Sequence, residues 1–323
     1  MVTIMLFRSF AVKIACAALF VGSCLLPAVV HAQAGAITSA PTPTVQPAST
    51  LPAVAPWALN RDGAAPAATH EGNATPATPP PAGLYVAMGD SITEGVGITK
   101  NCRAFPTHPV DIAAFCPEGQ SYAILTALAL RKAGMAGHFM NLGIGGAHVE
   151  RVIADELPYL PAETTLVTLY IGTNDSRTVK SPQHTIAEVT AQYEQHYDQL
   201  LAMIHERAPK ARIALINFPN EKYLASTYNF PADVLPRFDA TSQLLAKFID
   251  AHYPKYPVVD TICNPSSYDV ALLYKGGVHP NEAGAAILAD AVVKVLLAKT
   301  PPAPPAKCQW YDAATAGELI SWP

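Results

Sequence analysis

The chain changes character at Leu84, where short apolar runs begin to alternate with longer segments of mixed polarity. The short runs are almost continuously hydrophobic and rich in β-branched residues, which is typical of strands that are buried on both faces. By this pattern we predict strands at Leu84–Met88, His138–Leu142, Thr165–Ile171, Arg212–Asn217 and Val258–Thr261.

The longer segments carry apolar residues at helical spacing and predict the intervening helices. The clearest is Thr185–Arg207, because Thr185 and Glu188 form a capping-box sequence at its start. The other predicted helices are Ser121–Ala133, Phe238–Tyr253 and Glu282–Lys299. Buried strands that alternate with helices predict an α/β domain, in which helices cover both faces of a parallel sheet.

Residues 1–34 are predicted to form a signal peptide. Two positive residues precede an apolar run over residues 14–30, and the small residues up to Ala34 suit cleavage by a signal peptidase. An uncleaved membrane anchor is disfavoured, because the run is short for a bilayer span and Pro27 interrupts it. We therefore expect a secreted or periplasmic protein with no membrane span after cleavage.

A lipoprotein signal is the alternative interpretation of the same segment. The sequence Val21-Gly22-Ser23-Cys24 resembles a lipobox, with Cys24 as the residue that would carry the lipid. This alternative is disfavoured because the sequence after Cys24 stays apolar, whereas a mature lipoprotein would become polar there.

Residues 35–83 form a low-complexity stretch of Ala, Pro and Thr with almost no charge. Such a stretch buries too little apolar surface to offset the entropy lost on ordering, so we predict a disordered, extended linker. The folded domain is then expected over residues 84–300. Residues 301–323 form a C-terminal tail, which we expect to pack as an irregular strap.

Charge and cysteine content narrow the function further. The net charge of −4 lacks the basic excess of a nucleic-acid-binding protein, so we expect no nucleic-acid partner. Four cysteines follow the predicted leader, and an even number in an exported chain predicts two disulfides. We expect Cys102–Cys116 and Cys263–Cys308, although the sequence leaves all three pairings open. No cysteine or histidine cluster has the spacing of a zinc site, so no metal site is predicted.

Four short motifs carry the candidate chemistry, and each follows a predicted strand or precedes the last helix. They are Gly89-Asp90-Ser91, Asn141–Gly146, Gly172–Asp175 and Gly277–Asn281. The loops at the carboxyl ends of parallel strands share one edge of the sheet, and ligands bind at that edge. We therefore expect the four motifs to meet in space.

The residue types in these motifs suit acyl transfer. Ser91 follows a sharp glycine turn and is a candidate nucleophile, while the imidazole of His279 is the usual kind of base that activates a serine. The backbone N–H of Gly146 and the carboxamide of Asn174 can donate hydrogen bonds to a developing oxyanion. Each motif alone also occurs in ordinary turns, so the inference depends on their combination.

The combination and order of the motifs resemble the SGNH, or GDSL-type, hydrolases. Met88–Gly95 resembles the serine block, Asn141–Ala147 the glycine block, Gly172–Asp175 the asparagine block and Val278–Gly284 the histidine block. The resemblance covers residues 84–299 and implies a flavodoxin-like three-layer sandwich with a five-stranded parallel sheet. It also implies that Ser91 and His279 are catalytic, that Gly146 and Asn174 form the oxyanion hole, and that no cofactor is needed.

One position departs from the family pattern. Members usually carry an Asp three residues before the catalytic histidine, and in this chain that residue is Gly276. An orienting carboxylate sets the tautomer of a catalytic histidine and stabilises its charged form. Three alternatives stay open. A backbone carbonyl near Lys275 or Gly276 replaces the carboxylate, a carboxylate from elsewhere such as Asp269 replaces it, or catalysis is slow or absent.

The sequence thus predicts a secreted serine esterase or lipase, which hydrolyses small-molecule or polysaccharide esters through an acyl-enzyme. A polysaccharide acetylesterase is an alternative within the hydrolases. A catalytically weak carbohydrate-binding or adhesion module on the same fold is the alternative outside them. Substrate choice is expected to lie in the loops over residues 98–119 and 220–237, which are long enough to wall or cover a cleft.

Overall fold

A computed structural model describes residues 82–98, 109–111, 120–224, 231–274, 277–305, 309–311 and 319–321, with side chains described up to residue 305. The predicted leader and nearly all of the predicted linker lie outside the described residues, so both stay predictions. Three of the four cysteines that follow the leader, Cys102, Cys116 and Cys308, also lie outside them.

The core of the domain is a six-stranded sheet. Its strands are β1 (Leu84–Gly89), β2 (Val110–Asp111), β3 (His138–Asn141), β4 (Leu166–Tyr170), β5 (Arg212–Ile216) and β6 (Val258–Val259), in the order β2-β3-β1-β4-β5-β6. Five strands run parallel, and only the short edge strand β2 is antiparallel to its neighbour. The predicted α/β fold with five parallel strands is confirmed, and their order is the flavodoxin-like one.

The strand register brings the predicted motifs to one edge of the sheet. Gly89 at the end of β1 pairs with Tyr170 at the end of β4, and Ala87 pairs with Asn141 at the end of β3. The segments that follow these three strands therefore leave the sheet side by side. This edge is where a ligand site is expected in an open parallel sheet.

Seven α-helices lie among the described residues. They are α1 (Ser91–Glu94), α2 (Tyr122–Lys132), α3 (Val149–Arg151), α4 (Thr173–Arg177), α5 (Ile186–Arg207), α6 (Leu235–Asp250) and α7 (Glu282–Leu297). Helix α2 packs against α7, and α5 packs against α6, as right-handed crossovers on the two faces of the sheet require. Each helix in this part of the chain is too short or too polar to span a lipid bilayer.

The long helices begin where their capping residues predict. Ser121 accepts a hydrogen bond from the Ile124 N–H at the start of α2. Thr185 and Glu188 form the complete capping box of α5, because each side chain accepts from the backbone N–H of the other residue. Such caps satisfy N–H groups that have no partner inside the helix.

Most predicted bounds differ from the observed ones by one or two residues, and helix α6 and strand β6 show why such differences arise. Helix α6 begins three residues earlier than predicted, since Pro236 is tolerated in a first helical turn. Strand β6 ends at Val259, before the predicted end at Thr261. Thr261 N–H donates instead to the side-chain oxygen of Asn217 at 2.5 Å, so a side chain replaces the neighbouring strand as its acceptor.

Several short elements were not predicted from the sequence. Helix α3 continues through a π-helical turn at Val152–Glu156, and 3₁₀ turns lie at Leu157–Tyr159, Thr178–Lys180, Glu221–Leu224, Pro265–Tyr268 and Val270–Leu272. Helix α4 and strand β2 are also too short to give a hydrophobic period. These elements are local consequences of tertiary packing rather than of sequence pattern.

The C-terminal tail differs from the predicted irregular strap. Gln309–Tyr311 and Leu319–Ser321 form an antiparallel pair, β7 and β8, in which Trp310 lies opposite Ile320. Aromatic and branched residues favour strands, but runs of three residues are too short for the alternation that would have indicated them.

Candidate active site

Ser91 and His279 meet at the carboxyl edge of the sheet, although 188 positions separate them along the chain. Ser91 is the first residue of α1, and His279 lies in the loop before α7. The His279 Nε2 atom is 2.9 Å from the Ser91 Oγ atom, which is hydrogen-bond distance. Both side chains are half-buried. In this arrangement an imidazole can accept the proton of a serine hydroxyl.

The turn that presents Ser91 depends on a close approach between β1 and β4. Gly89 has a φ of +144°, and a Cβ at this position would lie 2.0 Å from the Tyr170 carbonyl oxygen. The Gly89 N–H donates to the Oε2 atom of the fully buried Glu156 at 2.9 Å. The carboxyl group of Asp90 accepts from the Ile92 N–H at 2.9 Å and caps α1. The backbone around Ser91 is therefore fixed from both sides.

Backbone hydrogen bonds join the described residues on the two sides of the loop that carries His279. Tyr274 N–H donates to the His279 carbonyl at 3.0 Å, and Asn281 N–H donates to the Leu272 carbonyl at 2.8 Å. The Asn281 side chain also accepts hydrogen bonds from two N–H groups in the first turn of α7. The imidazole thus projects from a loop whose two ends are both anchored.

The group that orients the His279 ring stays a prediction. Lys275 and Gly276, where we predict a carbonyl acceptor, lie outside the described residues. Asp269, the other predicted candidate, is exposed, and its carboxylate accepts from the Ala271 N–H at 2.9 Å. Asp269 therefore caps the following 3₁₀ turn.

The glycine-rich loop after β3 passes directly beside the nucleophile. A Cβ at Gly145 would lie 3.9 Å from the Ser91 Cβ atom. Gly146 has a φ of +73°, a conformation that favours glycine. Among the described residues, neither the Gly146 N–H nor the Ser91 N–H has a backbone acceptor. Both groups are of the kind that can bind an oxyanion.

Asn174 lies on α4 and contacts this same loop. Its Nδ2 atom donates to the Ala147 carbonyl at 2.9 Å, and Ala147 follows Gly146 directly. Its Oδ1 atom accepts from the Arg177 Nη1 atom at 3.1 Å. The structure therefore ties Asn174 to the glycine-rich loop at the residue that follows Gly146.

Sequence reasoning missed several polar residues around Asn174. Arg177 forms a two-pronged ion pair with the buried Glu221. Asp175 is buried, and its carboxylate accepts from the Val149 N–H at 3.1 Å. Burial raises the pKa of Asp175 to about 7. The three-residue spacing of Asn174 and Arg177 could have predicted that their side chains meet on one helix, whereas no nearby sequence feature indicated Glu221.

The loops predicted to shape the cleft are described only in part. Most of residues 98–119 and all of residues 225–230 lie outside the described residues. The described part of the second loop contains the 3₁₀ turn Glu221–Leu224 and the first turn of α6. The role of both loops in substrate choice stays a prediction.

Cys263 is disulfide-bonded in the structure. The other cysteines that follow the leader lie outside the described residues. The predicted pairings, Cys263–Cys308 and Cys102–Cys116, therefore stay predictions.

Comparison with known families gives one match over most of the domain. The model of the GDSL-like Lipase/Acylhydrolase family matches residues 87–287, a span that contains all four predicted site residues. A comparison with curated proteins gave no match.

Solved structures with a similar fold include three ester-cleaving enzymes. A lipase from a goat rumen metagenome is 14% identical with a TM-score of 0.50, covering 69% of this chain and 100% of its own. A phospholipase A1 from Streptomyces albidoflavus is 20% identical with a TM-score of 0.45, covering 67% of this chain and 98% of its own. An acetylxylan esterase from Geobacillus stearothermophilus is 21% identical with a TM-score of 0.47, covering 69% of this chain and 100% of its own.

Proposed function

The chain belongs to the GDSL-like lipase/acylhydrolase family and is a carboxylic ester hydrolase, and we propose that it cleaves esters through a covalent acyl-enzyme on Ser91. The observation that carries the proposal is the 2.9 Å distance between Ser91 Oγ and His279 Nε2. A serine hydroxyl is a weak nucleophile until a neighbouring base takes its proton, and His279 is the base within reach.

The reaction proceeds in two halves. In the first, Ser91 Oγ bonds to the ester carbonyl carbon while its proton moves to His279 Nε2. The bond to the alcohol oxygen then breaks, and His279 returns the proton to the leaving alcohol. In the second half, water attacks the acyl carbon and gives a proton to His279. The Ser91–acyl bond breaks, Ser91 regains its proton and the carboxylic acid leaves.

The negative oxygen of each tetrahedral intermediate is held by three donors. These are the backbone N–H groups of Ser91 and Gly146 and the side-chain N–H of Asn174. The closeness of the glycine loop to Ser91 and the hydrogen bond from Asn174 to Ala147 support this assignment. Loss of one such donor costs about 10²–10³-fold in rate in comparable sites.

The histidine works as a dyad with the serine in this proposal. A backbone carbonyl near Lys275 or Gly276 accepts from the His279 Nδ1–H and selects the tautomer with a free Nε2. A neutral carbonyl stabilises an imidazolium less than a carboxylate does, so we expect a slower enzyme than one with a full triad.

The test is hydrolysis of p-nitrophenyl acetate by purified wild-type protein and Ser91→Ala. We expect kcat to fall by roughly 10⁴-fold or more, because the covalent step is lost, while thermal unfolding stays unchanged. Ser181→Ala, which removes a hydroxyl that bonds only within its own turn, is the matched control and should keep full activity. Wild-type turnover by Ser91→Ala would contradict the proposal.

Export from the cytoplasm is part of the same proposal. The apolar run and small residues of the first 34 positions support it. Amino-terminal sequencing of protein recovered outside the cytoplasm is expected to begin after Ala32 or Ala34. A mature protein that begins at Met1, or at a lipid-modified Cys24, would contradict this part of the proposal.

A further inference from the structure

The side-chain amide of Asn174 is held at both of its polar atoms. Nδ2 donates to the Ala147 carbonyl at 2.9 Å, and Oδ1 accepts from Arg177 Nη1 at 3.1 Å. Arg177 lies one helical turn after Asn174 on α4, which is the spacing at which side chains meet. The cation therefore stands on the oxygen side of the amide.

Arg177 is itself fixed by Glu221. Its Nε atom donates to Glu221 Oε2 at 2.8 Å, and its Nη2 atom donates to Glu221 Oε1. The Glu221 side chain is only 2% exposed and that of Arg177 is 22% exposed, so solvent screens this pair weakly. A bidentate pair of this kind fixes both the position and the plane of the guanidinium.

The turn that carries Glu221 is anchored independently of Arg177. The Asn220 N–H donates to the Tyr268 hydroxyl at 3.1 Å, and Asn220 Nδ2 donates to Asp239 Oδ1 at 2.7 Å. Lys222, on the other side of Glu221, forms an ion pair with Asp239. The Glu221 carboxylate therefore lies on a turn that is held against α6.

We propose that Arg177 and Glu221 are positioning residues, which hold the Asn174 amide with its N–H groups toward the oxyanion site. This inference rests on the role given to Asn174 in the proposed function. An amide can rotate by half a turn at almost no cost in shape, because its oxygen and nitrogen are nearly the same size. Charge is what distinguishes the two orientations.

Two repulsive contacts disfavour the rotated amide. It would turn its NH₂ group toward the Arg177 cation and its oxygen toward the Ala147 carbonyl. In the observed orientation, one hydrogen of Nδ2 binds the Ala147 carbonyl and the other remains for the substrate oxyanion. Without the guanidinium, the amide would spend part of its time with an oxygen facing the developing negative charge.

The experiment is a double-mutant cycle on kcat for p-nitrophenyl acetate. Arg177→Met is made in the wild type and in Asn174→Ala. In the wild type we expect kcat to fall by roughly ten- to a hundred-fold with little change in KM, because a misplaced donor weakens only the transition state. In Asn174→Ala we expect Arg177→Met to change kcat by less than about twofold, since no amide is left to position.

A second variant separates the loss of positioning from a loss of stability. Arg177→Met leaves the buried Glu221 without its cation, and an uncompensated buried charge is strongly destabilising. The double variant Arg177→Met/Glu221→Gln removes that charge and should show the same loss of kcat in a stably folded protein. Arg177→Lys keeps a cation near Asn174, but an ammonium group lacks the planar shape that lets arginine bind Asn174 and Glu221 together. We therefore expect it to retain part of the rate that Arg177→Met loses.

Arg131→Met is the matched control, because the Arg131 side chain is 25% exposed, close to the 22% of Arg177, and it also forms an ion pair, with Asp111 beside β3. It should keep wild-type kcat. An equal loss of kcat from Arg177→Met in both backgrounds, or no loss in the wild type, would overturn the positioning role. Those outcomes differ from a failure of the proposed function, in which Ser91→Ala would stay active.

Discussion

Asp90 lies between the turn glycine and the proposed nucleophile, and its side chain is almost fully buried. It accepts a hydrogen bond from the Ile92 N–H and so caps the helix that begins with Ser91. Burial raises the pKa of this carboxyl group to about 7, while the bond from Ile92 acts in the opposite direction. The residue before the nucleophile therefore orients the first helical turn, and Ser91 with it.

Gly89 is the position where this turn depends most on glycine. Its φ of +144° disfavours other residues, and an added Cβ would lie 2.0 Å from the Tyr170 carbonyl oxygen. We expect Gly89→Ala to lower the free energy of unfolding by about 4 kcal/mol, or to prevent folding, because β1 and β4 would have to separate. Urea unfolding and ester hydrolysis are the measurements.

Gly134→Ala is the control for backbone conformation alone. Gly134 also has a positive φ, of +73°, but no atom lies within 4 Å of an added Cβ. We expect a loss of only about 1 kcal/mol and unchanged kcat. Equal stability of the two variants would show that the close approach at Gly89 does not matter.

Residues in local motifs were predictable from the sequence, and residues that act through distant contacts were not. Ser91 and His279 were identified by their own neighbours in the chain, and the structure brings them within 2.9 Å. Glu221 is 44 positions from its partner Arg177 and lies in no motif. Only the fold reveals such a pair, because its spacing along the chain has no period.

Helix α5 shows how far local sequence determines an element. The Thr185 side chain accepts from the Glu188 N–H at 3.1 Å, and Glu188 Oε2 accepts from the Thr185 N–H at 2.8 Å. The backbone bond to Thr185 lowers the pKa of Glu188. The start of α5 after Thr185 and its end at Arg207 both followed from the sequence, because a helix of 22 residues repeats its apolar pattern over many turns.

Replacement of the capping threonine tests this interpretation. We expect Thr185→Ala to lower the free energy of unfolding by about 1 kcal/mol, because the first turn of α5 loses a hydrogen-bond acceptor for its N–H groups. Chemical denaturation measures the change, and kcat should stay the same because the cap is exposed and outside the site. Thr185→Ser should retain nearly all of the stability, and an equal loss from both variants would contradict the capping role.

Short elements and the exact ends of elements could not be predicted from the sequence. Strand β2 has two residues and forms only because β3 offers an open edge. Strand β6 stops at Val259 because the Asn217 side chain accepts from Thr261 N–H. In both places a tertiary partner decides the structure, and two residues carry no periodic signal that would reveal it.

The molecule as a whole buries several acidic groups. Burial raises the pKa of Asp90, Asp175 and Asp250 from 3.8 to about 7. In the unfolded chain such groups ionise near about pH 4. The folded protein therefore holds more protons than the unfolded chain between these two values, and it loses stability as the pH rises through that window.

Asp250→Asn should weaken this pH dependence. Asn217 Nδ2 donates to Asp250 Oδ1 at 2.9 Å, and an asparagine oxygen at position 250 can still accept that bond. We expect the urea midpoint of the wild type to fall between about pH 4.5 and pH 7 and then to level off. The midpoint of Asp250→Asn should fall less over the same range. Identical pH profiles for the two proteins would contradict the raised pKa of Asp250.

Acylation of Ser91 is the step on which the proposed mechanism depends. The most direct measurement is labelling of the folded protein with a fluorophosphonate, followed by peptide mapping with mass spectrometry. We expect one adduct, on the peptide that contains Ser91. It should be absent from Ser91→Ala and should form much more slowly in His279→Ala. An adduct on a different serine, or ester hydrolysis that survives with Ser91 unlabelled, would contradict the proposed mechanism.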